Sequence, residues 1–243
     1  PGDTTQFGDE DPEEPVADLL GPDSLEIFGR SVFARQSAQF QPITSGPVPP
    51  DYRLGPGDEI SLILTGDVEL AYSLPVTREG FLVVPDAGQI AVTGLTMKEL
   101  EDRLYERLGR VYSGVRRSGD ASTRFQVSLG ALRAIQVFVI GDVERPNAYQ
   151  VSAAATVFHA LYLAGGPSAT GSFRRIEVRR GGELTQAVDL YEYLLRGDSR
   201  SDVRLEHGDI IFVPPYDRRV TVTGAVRRPA HYELVEGEGL RDL

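Results

Sequence analysis

The first clear alternation of apolar and polar positions begins at Glu59, where Ile60, Leu62 and Leu64 fall on one side of an extended segment ending near Thr65. Period-two spacing of this kind predicts a half-buried strand. The turn Tyr52-Arg53-Leu54-Gly55-Pro56-Gly57-Asp58 leads into it, and short strands are predicted around Leu74–Thr77, Phe81–Pro85 and Gln89–Thr93. The period then changes. Leu100, Leu104 and Leu108 recur four apart behind Thr96-Met97-Lys98-Glu99, a capping-box pattern in which Thr96 and Glu99 satisfy each other's free amides. A helix is therefore expected from Thr96, with Gly109 as its stop. After a polar loop over Ser113–Thr123, Phe125, Val127 and Leu129 alternate again, and Ile135–Ile140 is an almost continuous apolar strand. Thr156 caps a second helix carrying Val157, Leu161 and Ala164 and ending at Gly165-Gly166-Pro167. Strands are expected to return at Arg175–Val178, Ala187–Leu190 and Asp209–Val213.

Residues 1–50 have a different texture, rich in Pro, Asp, Glu and Gly, with one apolar interruption from Ser24 to Phe33. Leu25, Phe28, Val32 and Phe33 would share one side of a short helix there, docked on the chain's own body or on a neighbour, although Gly29 weakens a helix. Pro42, Pro47, Pro49 and Pro50 mark a linker.

Near the other end a repeat emerges. Val137-Phe138-Val139-Ile140-Gly141-Asp142-Val143-Glu144-Arg145-Pro146-Asn147-Ala148-Tyr149 recurs 83 positions later as Val220-Thr221-Val222-Thr223-Gly224-Ala225-Val226-Arg227-Arg228-Pro229-Ala230-His231-Tyr232. The second copy runs out before its helix would begin, so the chain is expected to lack its C-terminal part, and Arg218–Leu243 to lean on the preceding module or on a partner, because a lone hairpin has no core. Pro1 as the first residue and Met97 as the sole methionine suggest that the chain also begins inside a longer precursor.

Charge sharpens this division. The formal net charge is −11, yet residues 1–26 hold nine acids and no base, leaving 25 basic against 27 acidic side chains in the other 217 residues. The body is nearly neutral and the leader is acidic, which predicts a solvated tail and argues against a general nucleic-acid binder. No apolar run approaches the roughly 20 residues of a membrane-spanning helix. Cysteine is absent, so disulfides, thiolate nucleophiles and Cys-based zinc sites are excluded. His159, His207 and His231 are scattered without metal-ligand spacing, no Ser lies in a nucleophile elbow, and Glu101-Asp102 diverge on a helix. Neither a catalytic residue nor a cofactor is called for.

With these motifs in hand, the chain resembles the outer-membrane polysaccharide export family. Tyr52–Asp58, Arg78-Glu79-Gly80-Phe81, Pro85, Gly88, Val92 and Gly94-Leu95-Thr96 resemble its polysaccharide-export domain. Gly141-Asp142-Val143, Arg145-Pro146, the Ala160-Leu161 helix ending Ala164-Gly165-Gly166, and Leu205 with Gly208-Asp209-Ile210-Ile211-Phe212-Val213-Pro214 resemble a soluble-ligand-binding β-grasp (SLBB) module. Gly114–Thr123 looks like an insertion, and Asn147-Ala148 stands where Pro-Gly is usual. The resemblance implies an α+β fold: a small mixed-sheet export domain over 51–130, an SLBB-like β-grasp module over 131–217, the start of a second over 218–243, and a tail over 1–50.

The motif residues Gly55, Pro56, Gly57, Asp58, Gly94, Thr96, Gly141, Arg145, Pro146, Gly165, Gly166, Gly208 and Asp209 read first as fold-building. Glycines supply positive φ, and the Asp side chains close turns ahead of strands. Direct ligand contact is the other reading. Arg174, Arg175, Arg179 and Arg180 are either a salt-bridged edge or a contact for an acidic saccharide or partner. The resemblance implies a non-enzymatic periplasmic protein, oligomerising as a conduit or collar for polysaccharide and docking on an inner-membrane polymerisation or export partner. Two alternatives stay open. One is an extrinsic subunit bracing a respiratory or photosynthetic membrane complex, and the other is a module binding a small soluble ligand. The acidic tail, residues 1–26, is expected to be held by an arginine-rich partner surface.

Overall fold

A computed structural model describes residues 25–34 and 49–239. The expected acidic tail before Leu25, the proline-marked linker up to Val48 and the last four residues lie outside the described residues. The chain is α+β, with four helices and twelve strands among the described residues.

The first sheet is antiparallel, in the order β2-β1-β5, from β1 (Glu59–Gly66), β2 (Leu70–Pro75) and β5 (Thr123–Ala131). Ile60, Leu62 and Leu64 turn their side chains inward and are almost wholly buried. A separate hairpin, β3 (Phe81–Val84) with β4 (Gly88–Ala91), follows. Helix α2 (Met97–Val111) buries Leu100, Leu104 and Leu108, and Thr96 caps it as its sequence predicts: the Glu99 amide donates to Thr96 Oγ1 at 3.3 Å and the Thr96 amide donates to Glu99 Oε2 at 2.7 Å. Gly109 is not its stop. The helix runs through it to Val111, because one interior glycine costs only about 1 kcal/mol, and the Tyr112 amide closes the end on Leu108 O at 2.7 Å.

The second sheet is mixed, in the order β7-β6-β10-β8-β9. Strand β6 (Ala134–Gly141) forms a hairpin with β7 (Asn147–Ser152), helix α3 (Val157–Ala164) packs across both, and β10 (Ile210–Val213) returns parallel to β6. Ile135, Val137 and Val139 face α3, whose Val157, Ala160, Leu161 and Ala164 are buried. β8 (Ile176–Arg180) and β9 (Glu183–Val188) complete the far edge.

Two local expectations need correction. The strand expected at Leu74–Thr77 lies earlier, as β2. The strand expected at Ala187–Leu190 ends at Val188, since Asp189 takes the Tyr191 amide at 2.8 Å and starts helix α4 (Leu190–Arg196), which Gly197 ends. An aspartate with a free amide two residues ahead is an N-cap before it is a strand residue.

The repeat is a structural repeat as well. Strands β11 (Arg218–Val222) and β12 (Ala230–Leu234) pair Val220 with Tyr232, and 83 residues earlier Val137 pairs with Tyr149 in β6–β7. In each hairpin the tyrosine hydroxyl donates to the carbonyl of the turn arginine, Tyr149 to Arg145 at 2.6 Å and Tyr232 to Arg228 at 2.9 Å. The N-terminal apolar stretch is not one continuous helix. Helix α1 covers only Arg30–Ala34, and Ile27 instead bridges His231 on the edge of β12 in parallel, so the segment docks on the chain's own body.

Truncating the helix at its centre tests the first core: Leu104→Ala should lower the unfolding free energy by about 2–5 kcal/mol in urea titration.

Candidate functional site

Three turns of one design organise the charged interior. In Gly55-Pro56-Gly57-Asp58, Glu206-His207-Gly208-Asp209 and Val235-Glu236-Gly237-Glu238, the third residue is a glycine with φ of +92°, +87° and +86°. Such values strain any residue with a Cβ. The acid at the fourth position turns back to accept the amide of the first: Gly55 N–H to Asp58 at 2.8 Å, Glu206 N–H to Asp209 at 2.8 Å, and Val235 N–H to Glu238 at 3.2 Å. Its own amide donates to the carbonyl of that same residue.

A distant arginine completes each turn. Arg133, just ahead of β6, donates to Asp58 at 2.8 Å, while its backbone amide reaches the other carboxylate oxygen at 2.9 Å. Tyr52 adds its hydroxyl to Asp58 at 2.7 Å, and burial with that hydrogen bond pushes the phenol well above its ordinary pKa. Arg180 grips Asp209 through Nε at 2.8 Å and Nη2 at 2.9 Å. Arg174 holds Glu238 with both terminal nitrogens and Asp189 as well, and lies over the Tyr191 ring with its guanidinium carbon 4.9 Å from the centroid. Burial works to lower the Arg174 pKa, but the two carboxylates outweigh it and hold the guanidinium above its ordinary value. Asp58 and Asp209 have no solvent exposure, so their charge is matched by donors alone.

Two of these turns lie at junctions. Asp58–Arg133 ties the first sheet to the start of the second. Arg174–Glu238 ties the second sheet to the C-terminal hairpin, where Glu233 is also buried. The Glu233 carboxylate accepts from Ser172 Oγ at 2.5 Å and the Phe173 amide at 2.7 Å, while its own amide donates to the Tyr191 hydroxyl at 2.8 Å. Burial pushes that phenol up to about 12.

The motif residues therefore gather in separate places. Gly94 sits beside the first turn: its amide donates to Leu54 O at 2.8 Å, Arg53 donates to its carbonyl at 2.7 Å, and Thr96 caps the helix that follows. Gly141, Arg145, Pro146, Gly165 and Gly166 come together where the β6–β7 hairpin tip meets the end of α3. There the Glu144 amide donates to Gly166 O at 3.0 Å, and Arg145 donates to Leu163 O at 2.8 Å. Gly208 and Asp209 form the turn into β10. The four arginines named from the sequence all have carboxylate partners: Arg174 as above, Arg175 with Asp217, Arg179 with Glu177 at 2.6 Å and Arg180 with Asp209 and Glu206.

Sequence reasoning did not single out Arg133, Asp189, Glu233 or Glu238. The Val-Glu-Gly-Glu run was readable as a third copy of the glycine–acid turn. Nothing in the sequence marks Arg133, because its partner lies 75 residues away.

Asp58 accepts four hydrogen bonds, and Asp209 and Glu238 accept three each, so these carboxylates are committed to holding the turns in place. Among the described residues no group of three or more His, Asp or Glu is placed to hold a metal ion. No helix among them is long and apolar enough to cross a membrane, which leaves crossing by strands open.

Residues 46–118 match the family model of polysaccharide biosynthesis/export proteins, and residues 136–188 and 219–243 match the SLBB domain. The chain is 29% identical over 211 residues to the polysialic acid transport protein KpsD of Escherichia coli, covering 86% of this chain and 36% of that protein. It is also 29% identical over 205 residues to the EPS I polysaccharide export outer membrane protein EpsA of Ralstonia solanacearum, covering 74% of this chain and 52% of that one. The chain thus spans between about a third and a half of the length of these curated relatives.

Asp58→Ala should destabilise the protein by about 3 kcal/mol, since it leaves the Arg133 charge and two amides without their acceptor; urea unfolding checks this. The hydrogen bond from Arg174 holds the Glu238 carboxyl below its ordinary range. A depressed carboxylate adds stability above its unfolded pKa and loses it as pH falls through the folded value. Acidification below the usual carboxylate range should therefore loosen β11–β12 before β6–β7, read as amide protection corrected for intrinsic exchange. Arg174→Gln should remove the Arg174–Glu238 contribution to this difference.

Proposed function

Because the chain belongs to the outer-membrane polysaccharide export family, we propose that it is a non-enzymatic component of a polysaccharide export assembly, serving as a rigid structural arm of a periplasmic conduit or collar. The division that fits this role is a tail over 1–50, an export domain over 51–130, an SLBB module over 131–217 and a second SLBB unit beginning at 218. The observation that carries the proposal is the pair of ion-paired junctions. A chain whose successive units are fastened by arginine–carboxylate bridges, each with one partner largely shut off from water, is built to keep its units at fixed angles, which a passive conduit requires and a flexible tether does not.

In this reading the assembly is a homo-oligomer, polysaccharide passes through it, and an inner-membrane export partner docks against it. The names of the relatives, transport of polysialic acid and export of EPS I, support the substrate class without specifying the polymer. The four arginines of β8 and the loop before it serve the fold first, since each is already engaged by a carboxylate. Any saccharide contact at Arg175 or Arg179 would have to compete with these pairs.

Deleting the gene in its host tests the proposal. Surface polysaccharide should fall at least tenfold while polymer accumulates inside the outer membrane, and the wild-type gene should restore export. Unchanged surface polysaccharide in the deletion strain would contradict it.

A further inference from the structure

The edge of β12 carries an added segment, bridged at Ile27, that its counterpart edge does not. The His231 amide donates to Glu26 O at 3.0 Å, and the Phe28 amide donates to His231 O at 3.0 Å. In the first repeat the equivalent residue is Ala148, whose amide is taken at 2.8 Å by the side chain of its own neighbour Asn147. The residue before His231 is Ala230, which offers no such acceptor. One hairpin edge is blunted by a side chain, and the other stays open to strand addition.

The added segment is anchored on both sides of the second junction. Phe28 stacks on Tyr232 of the hairpin with centroids 4.9 Å apart, and meets Tyr191 of α4 edge-on at 5.1 Å. Gly29 then reverses the chain at φ +87°, where an added Cβ would lie 2.8 Å from Leu194. Beyond it, Arg30 pairs with Glu144 at 2.9 Å and Phe33 is buried among Phe158, Tyr162 and Phe173, against Gly166. These anchors span the hairpin, α4, the β6–β7 tip and α3.

We infer that residues 25–34 form an intramolecular clasp that, together with the buried polar junction, fixes the C-terminal hairpin on the preceding module, and that the hairpin loosens when the clasp is undocked. The inference rests on geometry and is independent of the export reading. Glu233, Arg174 and Arg219, which donates to Ala169 O at 2.8 Å, hold one side of the hairpin; the clasp holds its other edge, and both are needed for a single orientation.

Hydrogen exchange on the full chain tests it. Ile27→Ala with Phe28→Ala should speed exchange of the β11–β12 amides at least tenfold, while those of β6 and β10 keep their protection. Unchanged protection of β11–β12 would overturn the clasp in favour of a hairpin held by Glu233, Arg174 and Arg219 alone. Because the chain has no cysteine, Ile27→Cys with His231→Cys gives a second reading that does not depend on the alanine variant folding. On oxidation this variant should form an intrachain disulfide, run as a monomer on a non-reducing gel, and keep β11–β12 protected when Phe33→Ala is added. Disulfide-linked dimers would overturn the intramolecular assignment.

Discussion

A carboxylate stripped of water must be matched by donors, and in this protein that requirement decides where the units of the chain stand relative to one another. Asp58 and Asp209 are wholly buried, and an unmatched charge there would cost several kcal/mol, on the order of a third or more of a typical domain's net stability. The glycine ahead of each acid lets the turn close, the turn supplies one amide, and an arginine from elsewhere, joined at Asp58 by the Tyr52 hydroxyl, supplies the rest. Where that arginine belongs to another unit, as Arg133 does for Asp58 and Arg174 for the part-exposed Glu238, the local requirement becomes a long-range one. Moving either unit would leave a charge unmatched.

The hairpin repeat shows how one local solution serves two settings. Both copies keep the Val–Tyr pairing and the tyrosine-to-arginine-carbonyl bond that fixes the turn. The differences lie on the surface each presents. The first carries Phe138 and Ile140 outward, and Asn147 blocks its edge. The second has Thr221 and Thr223 there, pairs its edge with the segment at Ile27, and buries Glu233 against the preceding loop. The shared residues make the hairpin, and the divergent ones decide what it is joined to.

Much of this was legible in the sequence, for physical reasons that can be named. Leu100, Leu104 and Leu108 announce α2 because burial on one helix face leaves a period, and Thr96 with Glu99 announces its start because a cap is local. The 83-residue repeat announces two like hairpins, and its agreement with family motifs places the chain. What was not legible is non-local. Arg133 looks like any arginine until the fold sets it beside Asp58, and Glu233 reads as an exposed strand residue until the loop at Ser172 covers it. The stretch at Leu25–Phe33 misled because its apolar spacing fits a helix, whereas the bridge from Ile27 to the edge of β12 and the turn at Phe28-Gly29 hold the helix back to Arg30.

The central claim is that the units are held at fixed angles by these junctions, and the distance between spin labels measures that directly. With no native cysteine to remove, labels at Glu79→Cys in the first unit and Arg227→Cys at the C-terminal hairpin tip can be read by pulsed electron resonance. The account predicts one narrow distance distribution that broadens when Arg133→Ala or Arg174→Ala is added. A broad or multimodal distribution in the otherwise native chain, unchanged by either substitution, would contradict it.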